Sequence, residues 1–228
     1  MARTPRNARH DEDPEGYDQL RRGWLNRRRA EFFAERVRLA RPEVVVEVGC
    51  GTGRLLTQLA EASPGTRFLG VEPLADYVEF GRRLIADAGL TNVELHVATG
   101  EEVAAVVPPA IADLVLSSDV LHHVTSQADV AGSVRRIAKP GARWVVVEPS
   151  AANVYVGAFQ ALANGERNFR IRPFLRAAES SWALTARSRM FLIPAAIETP
   201  PAWLVGMERR LERVPGLGGA VVLELTAR

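Results

Sequence analysis

The residues that could do chemistry are concentrated where a short apolar run gives way to glycines. Residues 44–48 read Val-Val-Val-Glu-Val, as in a buried strand, and glycines follow at positions 49, 51 and 53. Glycine tolerates positive φ and lets a ligand approach the main chain closely. An acid at the strand end, Glu47, would repel a phosphate and attract a cation. The pattern predicts a loop for a nucleotide-like ligand that carries an ammonium or sulfonium group.

The glycine spacing differs from that of the dinucleotide fingerprint G-x-G-x-x-G. Its third glycine would fall at Arg54 if counted from Gly49, and at Leu56 if counted from Gly51. In dinucleotide-binding proteins this third glycine allows the close packing that places a pyrophosphate at the helix N-terminus. A nicotinamide-dependent reductase is therefore the weaker interpretation of this loop.

More polar residues stand where later strands are predicted to end. Glu72 closes a second apolar strand, nineteen residues after Gly53, and Ser117 and Ser118 close a fourth. Because the carboxyl ends of parallel strands meet at one edge of a sheet, these side chains are expected near the glycine loop. Asp119, the next residue, either lies near a substrate or caps the following helical turn.

Two adjacent histidines, His122 and His123, are the candidates for a general base. A base assists a hydroxyl acceptor and is unnecessary for an amine that reacts in its neutral form. Because adjacent side chains point in different directions, at most one should face the acceptor. Packing at a helix start is the alternative interpretation. No cluster of two histidines and one carboxylate indicates a metal site, so we predict none.

Apolar runs alternate with helical patterns from residue 44 to residue 148. Five predicted strands and four helical segments favour a parallel sheet with right-handed crossovers, covered by helices on both faces. The fifth strand is predicted at 142–147, after a sharp turn at Lys139-Pro140-Gly141. Two later strands, at 182–192 and 220–226, would complete the sheet.

The regions beside this alternation are predicted to cover it. Residues 1–41 are read as a polar tail followed by amphipathic helices broken near Gly23, and 42–228 as one domain. Within that domain, 149–180 is expected to be an insertion that covers the substrate.

Composition narrows the class of protein. The chain has 228 residues, 47% of them hydrophobic, and no apolar stretch of about 18 residues that could span a bilayer. The N-terminus lacks an apolar signal region, and a single cysteine, Cys50, excludes an intrachain disulfide. We therefore expect a cytoplasmic protein. The run Arg27-Arg28-Arg29 indicates either a nucleic-acid-binding arm or, in preference, a solvated helix face.

Four blocks together resemble the class I S-adenosylmethionine-dependent methyltransferases, in particular their small-molecule branch. The blocks are Val-Val-Glu-Val-Gly-Cys-Gly-Thr-Gly, Gly-Val-Glu-Pro, Ala-Asp-Leu-Val-Leu-Ser-Ser-Asp-Val-Leu-His-His-Val and Lys-Pro-Gly-Ala-Arg-Trp, in the family's order between about residues 42 and 149. The resemblance implies an α/β, Rossmann-like seven-stranded, mostly parallel sheet with helices on both faces and an N-terminal helical cover.

The resemblance also implies how the cofactor S-adenosyl-L-methionine is bound. Glu47 and the backbone of Gly49, Cys50 and Gly51 would hold its methionine portion, and Gly53 would let the next helix pack closely. Glu72 would accept both ribose hydroxyls, and Pro73 would pack on adenine. Ser117 and Ser118 would line the reactive side. Where the family often has an acid that accepts the adenine amino group, Thr99, the backbone amide of Gly100 or Glu101 would contact adenine. Alternatively, Glu101 and Glu102 are first-turn acids that favour the helix dipole.

The predicted function is methyl transfer to an oxygen, nitrogen or carbon atom of a small molecule by in-line displacement. A non-catalytic partner protein that binds S-adenosylmethionine is the second interpretation, and an NAD(P)-dependent reductase is the third. A nucleic-acid substrate is disfavoured because the Asn/Asp-Pro-Pro-aromatic block of base amine methylation is absent. The oligomeric state, including a homodimer, is left open.

Overall fold

The computed structural model describes residues 13–150, 153, 156, 169–190, 193, 197–212, 214 and 217–228. The predicted insertion at 149–180 therefore lies partly outside the described residues. The polar tail before residue 13 lies wholly outside them. Among the described residues, no helix combines the length and apolarity needed to cross a membrane.

Seven strands form one sheet in the order β3-β2-β1-β4-β5-β7-β6. The first five strands in the chain run parallel to one another, whereas β7 is antiparallel to both β5 and β6. This confirms the predicted seven-stranded, mostly parallel sheet. The strands are β1 (Val44–Val48), β2 (Arg67–Glu72), β3 (Val93–Val97), β4 (Ala112–Ser118), β5 (Ala138–Pro149), β6 (Trp182–Met190) and β7 (Ala220–Ala227).

Helices cover the sheet, and its two faces bury separate hydrophobic cores. Successive strand side chains point to opposite faces, so Val45 belongs to one core and Val46 to the other. The helices are α1 (Pro14–Leu20), α2 (Trp24–Ala40), α3 (Arg54–Ala62), α4 (Ala75–Asp87), α5 (Val103–Val106), α6 (Gln127–Ile137), α7 (Ile171–Ala178) and α8 (Ala202–Leu211), with a 3₁₀ turn at Gly100–Glu102.

Central strand β1 brings the predicted site residues to one edge of the sheet. It pairs with β2 on one side and β4 on the other, with Glu47 in register with Gly70 and Leu116. The C-terminal residues of the two neighbours, Glu72 and Ser118, therefore end beside the glycine loop. Topology, rather than sequence proximity, assembles the site.

The start of β5 differs from the sequence prediction. A turn was expected at Lys139-Pro140-Gly141, but β5 begins at Ala138, which pairs with Ala112. Gly141 has φ of 75°, and the register with β4 shifts between Ala112 and Leu114. β5 continues through this irregularity because glycine adopts this backbone conformation without strain.

The N-terminal cover consists of α1 and α2, separated near Gly23 as the sequence indicates. The preferred interpretation of its arginine run as a solvated face is wrong for two of the three residues. Arg29 is 5% exposed and donates to the Asp119 carboxylate at 2.6 Å. Arg28 pairs with Glu208 and Glu212 on and after α8. Their acidic partners lie far along the chain, so helical spacing could not reveal them.

The Arg29–Asp119 pair should contribute measurably to stability because it joins α2 to the loop after β4. Replacing Arg29 with methionine leaves the Asp119 carboxylate with the Arg21 guanidinium, 3.7 Å away. We expect Arg29→Met to lower the free energy of unfolding by about 3 kcal/mol in urea titrations. As a matched control, Arg83→Met removes an exposed pair with Glu79 and should cost less than about 0.5 kcal/mol. Equal effects of the two substitutions would contradict this assignment.

Candidate functional site

The loop after β1 is built from glycines in left-handed backbone conformations. Gly49, Gly51 and Gly53 have φ values of 76°, 57° and 70°. The loop is tied to β2, because the amides of Gly49 and Cys50 both donate to the Val71 carbonyl, at 2.8 and 3.1 Å. It is also closely covered: a Cβ on Gly49 would lie 2.4 Å from the Val120 side chain. Glycine is therefore required here for both conformation and space.

Glu47 is a buried carboxylate with a free oxygen beside this loop. Its side chain is 4% exposed, and Oε2 has no hydrogen-bond partner among the described residues. Burial raises the pKa of Glu47 to about 8, against the opposing attraction of the Arg21 and Arg29 guanidiniums. A ligand cation would satisfy this oxygen and restore the ionised form.

Ser118, from neighbouring β4, brings a second unpartnered atom to the same place. Its buried Oγ has no hydrogen-bond partner among the described residues. Glu47, Gly49 and Ser118 line one cavity of about 50 Å³. That volume is enough for a few water molecules.

The N-terminal cover contributes to the lining of this cavity. Tyr17 lies over the loop, where a Cβ on Gly51 would meet its ring at 2.8 Å, and Arg21 donates to its hydroxyl at 2.5 Å. The buried carboxylate of Asp18 accepts from Thr52 Oγ1 at 3.3 Å and Arg54 Nε at 2.5 Å.

Burial acts to raise the pKa of Asp18, but Arg54, together with hydrogen bonds from Arg22 and Thr52, holds the pKa below its ordinary value. Asp18 is therefore ionised and locks α1 onto the start of α3. Tyr17, Asp18 and Arg21 were not among the predicted site residues. The sequence predicts that these helices cover the glycine loop, but their amphipathic pattern does not show which side chains contact it.

Glu72 lies at the end of β2 and holds the glycine loop in place. It is 8% exposed, Oε2 accepts from the Gly51 amide at 3.1 Å, and Oε1 accepts from the Leu74 amide at 3.2 Å. The adjoining Pro73 is half-buried. The predicted contacts of Glu72 with ribose and of Pro73 with adenine stay predictions.

The polar side chains after β3 form hydrogen bonds within the protein. Thr99 and Glu102 form a capping box, in which Thr99 Oγ1 donates to the Glu102 carboxylate at 2.9 Å. Glu101 accepts from the amides of Thr125 and Ser126, so it fastens the loop after β4. Gly100 is buried, and a Cβ there would lie 3.1 Å from Val48. The choice among these residues for adenine therefore stays open.

The two serines at the end of β4 point to opposite faces, as adjacent strand residues must. Ser118 lines the cavity, whereas Ser117 is fully buried and its Oγ accepts from Trp144 Nε1 at 2.9 Å. The structure therefore brings Ser118 to the site and places Ser117 in the core.

The two adjacent histidines also differ in burial. His122 is buried, and its Nδ1 lies 2.7 Å from the Glu148 carboxylate, whereas His123 is exposed. Asp119, for which two roles were considered, is the partner of Arg29. Sequence reasoning missed Glu148 because it is separated from His122 by a whole helix.

Comparison with known proteins decides the family. The family model for a methyltransferase domain matches residues 40–179, which include the glycine loop, Glu72 and both histidines. The chain belongs to the methyltransferase-domain family. The resemblance inferred from the four sequence blocks is thereby confirmed.

Relatives of this methyltransferase-family protein act on different atoms. It is 34% identical over 111 residues to a dimethylglycine N-methyltransferase of Parasynechococcus marenigrum, covering 48% of this chain and 38% of that one. It is 29% identical over 102 residues to a ubiquinone biosynthesis O-methyltransferase of Bradyrhizobium, covering 45% of this chain and 38% of that one. The chain thus spans well under half the length of these curated relatives.

Solved structures agree on the fold. A geranyl diphosphate C-methyltransferase from Streptomyces coelicolor, solved with Mg²⁺, geranyl diphosphate and S-adenosyl-L-homocysteine, superposes with a TM-score of 0.63 at 17% identity. The superposition covers 82% of this chain and 72% of that one. At this identity the similarity supports the architecture alone.

The raised pKa of Glu47 predicts a specific pH dependence of stability without ligand. Its pKa lies at about 8 in the folded protein against an ordinary 4.5, so its contribution is present below pH 4.5 and is lost as pH rises through 8. Between pH 5 and 9, the melting temperature of the Glu47→Gln variant should therefore rise relative to wild type. If the melting temperatures of the two proteins changed in parallel with pH, the raised pKa of Glu47 would be contradicted.

Proposed function

We propose that this protein transfers a methyl group from S-adenosylmethionine to a small molecule. The observation that carries the proposal is the unpartnered Glu47 Oε2, buried beside the cavity that Gly49 and Cys50 also line. A buried carboxylate without a full set of partners is costly unless a ligand supplies one. The ammonium group at the methionine end of this cofactor is such a partner, and the glycines let it approach the backbone.

The same cavity can hold both charges of an amino-acid group. Three arginines, Arg21, Arg29 and Arg54, line the cavity with Glu47, and we assign the cofactor's carboxylate to Arg21 because Arg29 and Arg54 are paired with Asp119 and Asp18. Glu72, already fixed by two backbone amides, ends the neighbouring strand, as a ribose-binding acid should. When bound, the sulfonium supplies an activated methyl carbon on a good leaving group. The protein's contribution is then to bind, orient and exclude water.

Positioning can account for most of the catalysis. Holding two reactants in line replaces a bimolecular encounter and is worth roughly 7–11 kcal/mol. The cover over the loop, held by Tyr17 and the Asp18–Arg54 pair, would fix the bound cofactor and keep water out. Positioning of this kind serves any acceptor atom, and the relatives methylate nitrogen, oxygen or carbon according to their names.

Calorimetry with two ligands tests the proposal. S-adenosylhomocysteine carries the amino-acid group, whereas methylthioadenosine shares its nucleoside and lacks that group. Glu47→Gln should weaken S-adenosylhomocysteine binding by about tenfold or more, because a charge-assisted bond is lost, and leave methylthioadenosine binding within about twofold. Glu43→Gln, an exposed carboxyl at the other end of β1, is the matched control and should change neither.

The contrary outcomes are distinct. Stabilisation by NADPH and none by S-adenosylhomocysteine would favour a reductase and overturn the proposal. Binding of S-adenosylhomocysteine, with no tritium transferred from methyl-labelled cofactor to a panel of amines, phenols and prenyl diphosphates, would favour a non-catalytic binding protein.

A further inference from the structure

A second cavity, of about 770 Å³, lies outside the candidate cofactor site. Its described lining comes from α2, from β7 and the edge strand β6, and from around the C-terminal end of α8. It shares no described lining residue with the cavity beside the glycine loop, and the adjacent residues Arg28 and Arg29 of α2 line different cavities. The volume is within the range of sites that bind small molecules.

Arginine is the most frequent residue type in this lining, with five arginines and three glutamates among the described residues. Two of the arginines are held by acids of the same lining. Arg28 pairs with Glu212 at 3.0 Å and Arg36 with Glu35 at 3.2 Å, and each arginine also contacts a second acid. These pairs neutralise part of the wall, so the charge available to a ligand comes from the other residues.

The other three arginines, Arg187, Arg189 and Arg209, form no ion pair with a described residue. Arg187 and Arg209 are exposed, and Arg189 is half-buried. Glu31, which is exposed, is the lining acid without an ion pair among the described residues. Guanidinium groups stay protonated at all physiological pH values, so the cavity carries an excess of positive charge. Such an excess in a concave site raises the local concentration of anions.

We propose that this cavity binds the phosphate group of a small organic molecule through Arg187, Arg189 and Arg209. The planar guanidinium group donates two parallel hydrogen bonds to a phosphate, and these charge-assisted bonds are stronger than neutral ones. The hydroxyl of Ser188, which also lines the cavity, is a further donor. This site goes beyond the proposed methyl transfer and does not depend on it.

The lining also provides an apolar surface for the rest of the ligand. Phe32 is half-buried, and the Arg36 guanidinium lies over its ring, 3.5 Å from the centroid. Met190 and Val222 are 4% and 1% exposed, so they form the floor of the cavity rather than its rim. Apolar groups combined with a few charged ones are typical of a small-molecule site. A phosphate ester of an aromatic or aliphatic group therefore fits better than inorganic phosphate.

Other classes of ligand fit this lining less well. A metal cation would need free carboxylates, whereas Glu35 and Glu212 are paired with arginines. A single-stranded nucleic acid requires exposed aromatic rings on which its bases stack, but one face of Phe32 is already covered by Arg36. An acidic peptide is the nearest competitor, because it also offers carboxylates to arginine, and it has to be compared directly.

Saturation-transfer NMR with phenyl phosphate tests the inference, because this measurement detects weak binding through the ring protons of the ligand. The titration is done with S-adenosylhomocysteine at a saturating concentration, to fill the candidate cofactor site. We expect phenyl phosphate to bind at least about threefold more tightly than inorganic phosphate, which is measured by competition, because its ring buries apolar surface. Benzyl alcohol, which keeps the ring and lacks the phosphate, should not bind at concentrations up to about 10 mM.

Variants locate the phosphate ester in the molecule. The double variant Arg187→Gln/Arg209→Gln should weaken phenyl phosphate binding by about tenfold or more, because two charge-assisted contacts are lost. The double variant Arg172→Gln/Arg176→Gln is the matched control, since it removes two exposed arginines of α7 that form no ion pair with a described residue and line neither cavity. It should change phenyl phosphate binding by less than about twofold. Circular dichroism checks that both variants fold.

Three results would overturn the inference. Equal weakening by the two double variants would show attraction to net charge rather than a site. Displacement of phenyl phosphate by S-adenosylhomocysteine would place it in the cofactor cavity. Binding of a hexaglutamate peptide without binding of phenyl phosphate would assign the cavity to an acidic peptide, and this comparison uses the wild type, so it does not depend on a variant folding.

The test also separates this inference from the proposed function. If S-adenosylhomocysteine does not bind to the wild type, the proposed function is refuted. The effect of Arg187→Gln/Arg209→Gln on phenyl phosphate binding, compared with that of Arg172→Gln/Arg176→Gln, still decides whether the second cavity is a phosphate site.

Discussion

The burial of the Glu47 carboxylate at the end of β1 is the constraint on which the rest of the site depends. Desolvation penalises its charge and raises its pKa to about 8, and the described residues leave one of its oxygens unpaired. A protein that retains such a group accepts a cost in stability that a bound cation can offset. The neighbouring strands, the glycine loop and the arginines of the cover are all placed around this oxygen.

Charged contacts between distant parts of the chain hold that arrangement together. Asp18 joins α1 to the start of α3, Arg29 joins α2 to the loop after β4, and Glu148 joins that loop to β5. Each of these side chains is largely buried, so its partner is needed to keep a desolvated charge or dipole satisfied. Three buried polar contacts thus connect the cover, the start of α3, the loop after β4 and β5.

The fold could be predicted from the sequence because its signals are local. β-Branched runs, turn residues and the spacing of Gly49, Gly51 and Gly53 specify strands, a loop and the order of elements. The ionic contacts could not be predicted from the sequence, because Arg29 and Asp119 are ninety positions apart and no periodic pattern relates them. Ser117 and Ser118 show the same limit, since the sequence placed both at one strand end and only the pleat decided which faces the cavity.

The most direct test of the central claim is the proton released when S-adenosylhomocysteine binds at pH 7, measured by calorimetry in two buffers of different ionisation enthalpy. With a pKa of about 8, Glu47 is mostly protonated before binding, and pairing with the ligand's ammonium should ionise it. The account predicts release of nearly one proton by wild type in excess of that released by Glu47→Gln. Equal release by the two proteins would contradict it.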